Sequence, residues 1–210
     1  MTTPGKFITV EGIEGVGKST NMDFVESILT AQGSTVIRSR EPGGTPLAER
    51  IRDLLLQNGN ETLSATAELL LFFAARALNV DNLIRPALAR GEWVLCDRFT
   101  DASRAYQGAG RGVDRQRIEV LADWVQNDLR PDLTLLLDAP VELGLDRVNR
   151  RGEVDRMESE QVSFYQKVRA AYLELAQAEP ERIVVVDASR DLAAVQAQIL
   201  RALGPLLTDN

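Results

Sequence analysis

One short stretch, residues 12–19, constrains the fold of this chain more than any other. Its eight residues fit the pattern G-x-x-x-x-G-K-[ST]: Gly12, Ile13, Glu14, Gly15, Val16, Gly17, Lys18 and Ser19, with Thr20 directly after them. An apolar run at 7–10 precedes the stretch and is typical of a buried strand, whereas 19–32 predicts a helix. Glycines let several backbone N–H groups point at one anion, and the helix adds its positive N-terminal end. The stretch therefore predicts a strand–loop–helix unit that binds nucleotide phosphates.

Two side chains of this phosphate loop suit a nucleotide and its metal ion. The Lys18 ammonium can reach the outer phosphates, and the Ser19 hydroxyl can ligate Mg²⁺. A glycine-rich turn can match the pattern by chance, but the flanking strand and helix argue against that here. A structural protein with a degenerate loop is disfavoured because Gly17, Lys18 and Ser19 are intact. The motif does not separate a kinase from a GTPase or a motor protein.

Charge and residue usage exclude several other classes of protein. The 210 residues carry a net charge of −7, which argues against a nucleic-acid or membrane-surface binder, because those partners need a positive footprint. No apolar run reaches the length of a membrane span, and no signal peptide is visible. The single Cys96 excludes an internal disulfide, and the absence of histidine removes the commonest general base. We expect a cytoplasmic protein of one domain, residues 1–210.

Strand-like and helix-like segments alternate along the rest of the chain. Four further apolar runs predict strands at 35–38, 93–97, 133–138 and 183–187. The other segments predict helices at 46–57 and, after a break at 59–60, at 61–78, and another helix that ends at about 90. Further helices are predicted at 100–106, 114–127, 141–149, 159–179 and 191–207, with a glycine-rich loop at 108–112. This alternation predicts an α/β three-layer sandwich, in which a five-stranded parallel sheet has helices on both faces. The helix at 61–78 is apolar nearly all round, which predicts a buried helix or a subunit interface.

A carboxylate and an arginine lie at the end of the predicted strand 93–97. The carboxyl end of a central parallel strand faces the ligand crevice, so Asp97 is expected beside the phosphate loop. There Asp97 can hold Mg²⁺ through water, and Arg98 can clamp a phosphate with two hydrogen bonds. The alternative is structural, a helix cap with an arginine as its ion-pair partner.

A ten-residue segment near the middle of the second half is rich in arginine: Arg147, Arg150, Arg151 and Arg156. Cations favour the C-terminal end of a helix, so a solvated helix end is one interpretation. The other follows from Gly152, which breaks the helix and predicts a flexible lid at about 147–158. In a phosphoryl transferase such a lid can carry arginines that neutralise charge in the transition state and exclude water.

Two helical pairs predict a pocket for a nucleobase. Phe72 and Arg76 are four residues apart and share a helix face, and so do Ser103 and Gln107. A phenyl ring can stack on a base, while Arg76 and Gln107 can bind its carbonyl and imide edges. Taken by itself, Phe72 is more often a core residue, and that alternative stays open.

Five motifs in this order resemble those of one family, the bacterial thymidylate kinases, over essentially the whole chain. They are Glu11 to Thr20, Arg40 to Pro46 (REPGGTP), Asp97-Arg98-Phe99, Ala105 to Gly108 (AYQG), and the arginine-rich segment that ends in Asp155-Arg156-Met157-Glu158. The resemblance implies a P-loop kinase fold. It also implies phosphorylation of dTMP to dTDP by ATP with Mg²⁺, in a homodimer.

The resemblance assigns roles at the base and sugar of dTMP. It makes Phe72 the platform under thymine and Arg76 a donor to its carbonyl edge, with Ser103 and Gln107 as further readers of the base. Tyr106 resembles the tyrosine that packs against the 2′ carbon and so disfavours ribonucleotides.

Further resemblances concern the phosphates and ATP. Glu14 matches an acidic residue near the sugar 3′-hydroxyl, and Arg98 with Arg52 resembles the ligands of the acceptor phosphate. Arg147 resembles the arginine that packs on adenine. The implied dTMP site also includes Glu41 and Pro42, and the implied catalytic residues are Lys18, Asp97, Arg98, Arg151 and Arg156.

The chain departs from one branch of this family at Gly15, where that branch carries an arginine. In the other branch the catalytic arginine comes from the lid, which makes Arg151 the first candidate and Arg156 the second. Phe99 stands where tyrosine is common, and little consequence is expected because Arg98 carries the contact.

The absence of histidine agrees with a phosphate acceptor. A nucleoside hydroxyl must lose a proton during attack, whereas a monophosphate, with a second pKa of about 6, arrives mostly deprotonated. Glu14, Glu41 or Asp97 could still act as a base, so a kinase for another nucleoside monophosphate or for a deoxynucleoside is an alternative. A GTP-driven switch is a second alternative, although this chain lacks the Asn-Lys-x-Asp segment that usually reads guanine.

Overall fold

A parallel β-sheet forms the centre of the computed structural model, which describes residues 5–57, 62–151, 156–157 and 160–208. The strands that these residues form are β1 (Phe7–Glu11), β2 (Val36–Arg40), β3 (Trp93–Asp97), β4 (Leu133–Asp138) and β5 (Ile183–Asp187). They lie in the order β2-β3-β1-β4-β5, and each adjacent pair is parallel. The predicted five-stranded parallel sheet is therefore confirmed.

Helices connect the strands: α1 (Lys18–Ala31), α2 (Pro46–Leu56), α3 (Ala65–Asn79), α4 (Arg85–Ala89), α5 (Thr100–Ser103), α6 (Arg115–Gln126), α7 (Val141–Arg151), α8 (Val162–Ala178) and α9 (Leu192–Thr208). Two segments are π-helical, Val80–Ile84 between α3 and α4 and Arg104–Gly110 after α5. Within the described ranges, no helix combines the length and the apolar character needed to cross a bilayer.

Alternate residues of the central strands face opposite layers of helices. Ile8 lies in a core cluster with residues of α1, α8 and α9, whereas Phe7 packs on the other face against residues of 80–87. Strand β3 divides in the same way, with Leu95 in the first cluster and Cys96 in the second. Because β1 is buried along its whole length, its carboxyl end, where the phosphate loop begins, is held firmly in place.

The helical run from 65 to 89 differs from the predicted boundaries. The helix predicted at 61–78 begins at Ala65, because the Ser64 hydroxyl caps it by accepting a hydrogen bond from Ala67 N at 3.1 Å. Its other end continues through the π-helical segment into α4, and Gly91, with a φ of 80°, follows the end of the run. The predicted break at 59–60 lies outside the described residues.

The predicted loop at 108–112 is wrong over 108–110, where the π-helix continues. Glycine disfavours a helix, so the local pattern indicates a loop. Here the glycines allow close packing instead. A Cβ on Gly110 would lie 2.5 Å from Cε2 of Phe164 in α8, and a Cβ on Gly108 would lie 3.2 Å from Cδ1 of Ile118 in α6.

Strand β2 ends at Arg40 and not at 38 as predicted. Its register places Arg40 beside Asp97, the last residue of β3, so both residues lie at the same end of the sheet. Helix α8 begins at Val162 and not at 159, and residues 158–159 lie outside the described part of the chain.

Candidate functional site

A cleft of about 540 Å³ opens at the carboxyl ends of the strands. The segments that follow β1, β2 and β3 form its walls together with α3 and the helical residues 102–107. This position is the usual ligand crevice of an open parallel sheet. The lining brings most of the predicted site residues together: Glu14, Gly15, Gly17, Lys18, Ser19, Thr20, Glu41, Pro42, Arg52, Phe72, Arg76, Asp97, Arg98, Ser103, Tyr106 and Gln107.

The phosphate loop needs its glycines for backbone conformation. Gly12, Gly15 and Gly17 have φ values of 133°, 72° and 90°, which residues with a Cβ rarely adopt. Among the described residues, no side chain caps the first turn of α1, so its N–H groups stay available for an anion. Ile13 and Val16 are buried in the core, so they contribute only their backbone to the site.

The Lys18 side chain folds back onto the phosphate loop. Its Nζ donates to the carbonyl oxygens of Gly12 and Ile13 at 3.3 and 3.1 Å. Burial, followed by the charge of Arg98, lowers the pKa of its ammonium group. The ammonium therefore lies at the phosphate loop, where the charge of a bound anion would favour its protonated form.

The loop also packs against α7 through two glycines. A Cβ on Gly15 would lie 2.0 Å from the carbonyl oxygen of Gly144, and a Cβ on Gly144 would lie 2.5 Å from the carbonyl oxygen of Glu14. An arginine at position 15 could not be placed there without a shift of the backbone. Arg147, further along α7, is exposed and donates from Nη1 to the Gly15 carbonyl at 3.2 Å, so it lies beside the loop but outside the cleft lining.

Arg98 has a φ of 72°, which is uncommon for a residue with a side chain. Its Nη1 donates to the Gly12 carbonyl at 2.8 Å and to the Tyr172 hydroxyl at 3.2 Å, and its Nη2 donates to Glu14 Oε1 at 2.8 Å. The guanidinium carbon lies 4.8 Å from the ring centre of Tyr106. Burial opposes the charge, but these neighbours outweigh it and raise the pKa of Arg98 well above its usual range.

Glu14 joins this arginine to a tyrosine. Its Oε1 accepts from Arg98, and its Oε2 accepts from the Tyr106 hydroxyl at 2.7 Å. The Tyr106 ring is buried and packs edge-on against Phe164 and Tyr172. Burial raises the pKa of the Tyr106 phenol well above its usual value, so the phenol remains a donor. Both oxygens of Glu14 therefore serve to position neighbouring side chains.

Glu11, at the end of β1, binds two neighbours of Arg98, Phe99 and Tyr172. The sequence analysis assigned Glu11 no role. It is fully buried; Oε1 accepts from Phe99 N and Oε2 accepts from the Tyr172 hydroxyl, both at 2.6 Å. Burial, followed by the negative charge of Asp101, raises the pKa of Glu11 from 4.5 to about 7. Its partners are 88 and 161 positions away in the chain, so no local pattern could have indicated them.

Ser19 and Asp97 fit the predicted Mg²⁺ site. Both line the cleft, and the buried Oδ1 of Asp97 has no hydrogen-bond partner among the described residues. An unpaired carboxylate oxygen at a cleft suits a hard cation or its water shell. No group of three or more acidic, histidine or cysteine side chains in the described ranges is placed to hold a metal ion. A magnesium ion there would take its remaining ligands from water and from nucleotide phosphates.

Helix α3 divides its two phenylalanines between cleft and core. Phe72 is half-buried and lines the cleft. Its neighbour Phe73 lies in a buried cluster with Ile118 and Ala122 of α6. The core position that the sequence left open for Phe72 therefore belongs to Phe73.

Arg76, one turn after Phe72, is 1% exposed. Its Nε donates to Glu41 Oε2 at 2.6 Å, and its Nη2 donates to the Phe99 carbonyl at 3.0 Å and to Ser103 Oγ at 3.1 Å. Its Nη1 is buried and finds no partner in the part of the chain that the structure describes. A buried donor without a partner is unfavourable until an acceptor meets it, so this atom suits a ligand oxygen.

The end of β2 and the segment after it bring two further arginines to the cleft, Arg40 and Arg52. Burial raises the pKa of the Glu41 carboxyl group, although the positive charge of Arg76 acts to lower it. The Glu41–Pro42 peptide bond is cis, and the Pro42 carbonyl accepts from Arg52 Nη1 at 2.9 Å. Arg40, to which the sequence analysis gave no role, also lines the cleft and pairs with Glu49 at 2.7 Å.

Gln107 reaches the cleft from the π-helical segment 104–110, and its Nε2 donates to Glu68 Oε1 at 3.0 Å. The sequence analysis missed Glu68. A signal was present, because Glu68, Phe72 and Arg76 follow one another at intervals of four residues and so share one face of α3.

The predicted lid is described only in part. Residues 152–155 and 158–159 and the side chain of Arg151 lie outside the described residues. Arg156 is described: its Nε donates to the Leu55 carbonyl at 2.7 Å, and its Nη2 lies 2.9 Å from Glu68 Oε2. These contacts hold Arg156 against α2 and α3, outside the lining of the cleft.

One known protein family matches most of the chain, including the whole cleft. The sequence model of the thymidylate kinase family matches residues 10–199 of this chain, which include the phosphate loop and every wall of the cleft. The chain belongs to the thymidylate kinase family. It is therefore a phosphotransferase.

Individual thymidylate kinases show the same relationship. The protein named thymidylate kinase from Pseudomonas savastanoi pv. phaseolicola is 59% identical over 203 residues, which are 97% of each chain. The one from Methylococcus capsulatus is 57% identical over 208 residues, 99% of each chain. The crystal structure of thymidylate kinase from Ehrlichia chaffeensis matches with a TM-score of 0.77 at 35% identity, covering 96% of this chain and 99% of that one. The sheet of this chain is thus that of a thymidylate kinase, a P-loop kinase fold.

Proposed function

We propose that this member of the thymidylate kinase family transfers the γ-phosphoryl group of ATP to dTMP, giving dTDP, with Mg²⁺ as cofactor. The observation that carries the proposal is the buried Nη1 donor of Arg76, which has no partner among the described residues and lies one helical turn from Phe72. A pyrimidine stacked on Phe72 could accept from this donor through a ring carbonyl.

Arg76 favours a carbonyl group over an amino group at the edge of the base. Its guanidinium can only donate hydrogen bonds. Thymine and uracil carry a carbonyl beside the ring N–H, whereas cytosine carries an amino group, which is itself a donor. Two donors that face each other leave both unpaired, at a cost of about 1–3 kcal/mol. In this proposal dCMP is therefore a poor acceptor.

Tyr106 is proposed to select the deoxyribose sugar, with Glu14 near the 3′-hydroxyl. The ring of Tyr106 is buried, and its hydroxyl is bound to Glu14 at 2.7 Å. Because burial fixes the ring and the hydrogen bond fixes the hydroxyl, the side chain cannot move aside for an additional 2′-hydroxyl. The extra group of a ribonucleotide would meet the ring, and its binding would be weaker.

Positive groups face both phosphates in the proposed complex. Lys18 and the backbone of the phosphate loop hold the donor, and Arg98 with Arg52 holds the acceptor phosphate. Ser19 and Asp97 would hold Mg²⁺, which when bound supplies further neutralisation of phosphate charge. The protein has little covalent chemistry to perform, so the rate enhancement comes from alignment and from electrostatic stabilisation of the transferring group.

The proposed acceptor needs no general base. A monophosphate with a second pKa of about 6 is mostly deprotonated at neutral pH. Two of the three carboxylates that could have served have other partners, since Glu14 binds Arg98 and Tyr106 and Glu41 binds Arg76. The third, Asp97, is proposed to hold Mg²⁺. This inventory favours dTMP over a nucleoside as the acceptor.

Arg151 is proposed as the catalytic arginine of a lid at about 147–158 in a chain of one domain, with Arg156 as the second candidate. This is the arrangement implied for the branch of the family that lacks an arginine at position 15. The bonds of Arg156 to Leu55 and Glu68 favour a structural role for that residue.

We also infer that the enzyme is a cytoplasmic homodimer. The outward faces of α3 and α6 carry three exposed apolar side chains, Leu70, Val120 and Trp124, at 52%, 61% and 79% exposure. Apolar groups of this size on packed neighbouring helices favour an interface. The buried free thiol of Cys96 suits a reducing compartment.

A substrate panel tests the proposed function. The purified protein is given ATP and Mg²⁺ with dTMP, dUMP, dCMP, AMP or thymidine, and the formation of ADP is followed. We expect the highest kcat/KM with dTMP and no turnover of thymidine. A different preferred monophosphate, or turnover of thymidine, would identify another kinase of this fold. Tight GTP binding without turnover of any acceptor would identify a nucleotide-binding switch.

A further inference from the structure

A buried carboxylate, Glu68 of α3, lies next to Gln107, which lines the cleft. It is 1% exposed. Its Oε1 accepts from Gln107 Nε2 at 3.0 Å and from Arg111 Nε at 3.3 Å, and its Oε2 pairs with Arg156 Nη2 at 2.9 Å. Arg111 is itself paired with Glu160 at 2.6 Å. Such an enclosed charge is tolerated only with partners of this kind.

The partners of Glu68 keep it ionised. Burial acts to raise the pKa of its carboxyl group, but the hydrogen bond from Gln107 and the contacts with Arg111 and Arg156 outweigh burial and hold the pKa below its usual value. An ionised carboxylate can only accept hydrogen bonds. Every group that touches its oxygens must therefore be a donor.

This charge determines the orientation of the Gln107 amide. An amide has an NH₂ donor on one side and a carbonyl acceptor on the other, and its two orientations have nearly the same shape. Only the NH₂ group can face Glu68, so Nε2 is committed to that contact. Gln107 lines the cleft, and its Oε1 finds no hydrogen-bond partner within the described part of the chain. Gln107 thus presents an acceptor to the ligand.

We propose that Glu68 is a positioning residue for substrate selection, which holds the Gln107 amide so that its carbonyl oxygen faces the base. The inference rests on the proposed function, in which a pyrimidine lies on Phe72. Arg76 and Gln107 then offer one donor and one acceptor, which match a carbonyl beside a ring N–H. Thymine and uracil have that edge. Cytosine, with an amino group beside an unprotonated ring nitrogen, is mismatched at both positions.

Glu68→Gln tests the inference with little change in shape. A neutral amide at position 68 can offer either its oxygen or its NH₂ group, so the Gln107 amide becomes free to turn. We expect the ratio of kcat/KM for dTMP to that for dCMP to fall by about tenfold, mainly through a higher KM for dTMP. The ratio for dTMP against dUMP should not change, because both bases present the same edge. Steady-state kinetics of the full chain with ATP and Mg²⁺ measures both ratios.

Glu160→Gln is the matched control. It removes the other carboxylate that pairs with Arg111, but the Gln107 amide donates to Glu68, which this variant keeps, so both ratios should stay at the wild-type values. Gln107→Leu gives a test of coupling. If Glu68 acts through Gln107, adding Glu68→Gln to Gln107→Leu should leave the ratio for dTMP against dCMP where the single Gln107→Leu variant places it.

An unchanged ratio for dTMP against dCMP would overturn the inference. This includes a loss of activity by one common factor on all three nucleotides, which a merely structural role would produce. If Glu68→Gln does not fold, Glu68→Asp replaces it. Aspartate is shorter by one methylene, so its carboxylate no longer reaches Gln107 Nε2 and the contact that orients the amide is lost. The same fall in the ratio is then required. A wild-type enzyme that does not phosphorylate dTMP would refute the proposed function itself, which separates that failure from a failure of the role of Glu68.

Discussion

At the scale of single residues, the cleft is organised by charged groups whose partners come from distant parts of the chain. Arg98 is held by a carbonyl oxygen of the phosphate loop and by Glu14, and Glu14 also holds Tyr106. Beneath them, Glu11 accepts hydrogen bonds from Phe99 N and from a tyrosine hydroxyl. A buried acid of this kind binds its proton more tightly in the folded chain than in the unfolded chain. The stability of the protein is therefore linked to pH through Glu11.

Glu11→Gln is expected to remove a pH-dependent part of the stability. Folding raises the pKa of Glu11 from 4.5 to about 7, so between these values the folded state binds more protons than the unfolded state. The free energy of unfolding of the wild type should therefore fall as the pH rises through this window, by about 3 kcal/mol in total. Glutamine resembles the protonated acid and can serve both Phe99 N and the Tyr172 hydroxyl, so the variant should lack this fall.

Urea denaturation of both proteins at about pH 5 and about pH 8 measures this difference. The variant should gain stability relative to the wild type at the higher pH. An unchanged difference in stability between the two proteins at these two pH values would show that Glu11 is ionised throughout, and the proposed linkage would be wrong.

At the scale of elements, α7 and the phosphate loop approach each other most closely at two glycines, Gly15 and Gly144. Gly15 and Gly144 approach so closely that a Cβ on either one would overlap a carbonyl oxygen of the other segment. The position of α7 is thus part of the shape of the loop. Loop conformation determines where the N–H groups point, so the position of α7 can affect the binding of an anion by the loop.

Gly144→Ala is expected to weaken ATP binding. Its Cβ would lie 2.5 Å from the Glu14 carbonyl oxygen, so α7 or the loop must shift. We expect a lower Tm and a Kd for ATP that is higher by about tenfold. The control is Gly204→Ala in α9, where a Cβ meets nothing within 4 Å. This substitution should stabilise the helix by about 0.5–1 kcal/mol and leave the Kd unchanged.

Thermal denaturation and isothermal titration calorimetry with ATP compare the two alanine variants. If both behave alike, the contact between α7 and the loop does not constrain phosphate binding, and the argument from Gly144 fails.

At the scale of the whole molecule, α3 joins three environments. Phe73 faces the core, Phe72 and Arg76 face the cleft, and Leu70 points outward with 52% exposure. Helix α6 packs against α3 and carries Trp124 on its own outward face. A homodimer formed by these two helices would therefore place its interface directly behind the nucleotide site.

Trp124→Glu tests this arrangement. A charge placed in an apolar interface loses its water without gaining a partner, so the variant should be a monomer at concentrations where the wild type is a dimer. Leu200→Glu on α9, where the leucine is 46% exposed, is the control and should leave the dimer intact. Sedimentation velocity measures the masses. A monomeric wild type would reject the homodimer, and two dimeric variants would place the interface elsewhere.

The sequence was informative where the determining signal is local. Strands β3, β4 and β5 have their predicted bounds, because short apolar runs closed by a polar residue identify buried strands. Gly108 and Gly110 were wrongly taken to indicate a loop. They lie in a helical segment, where the close approach of side chains from other helices leaves no room for a Cβ on Gly110 and little on Gly108. The phosphate loop and the two helical pairs that line the cleft could be predicted from spacing. The roles of Glu11 and Glu68 could not, since their partners are brought together only by the fold.

The hydrogen bond from Arg98 Nη1 to the Gly12 carbonyl, at 2.8 Å, has a consequence for how the two substrates meet. The arginine proposed to bind the phosphate of dTMP is attached to the loop proposed to bind ATP. The gap between the reacting groups is then set by the polar contacts of Arg98 with Gly12 and Glu14 of the loop, and not by the relative orientation of separate parts. A displacement of the loop would carry both reactants along, so their in-line alignment would survive small movements of the surrounding helices.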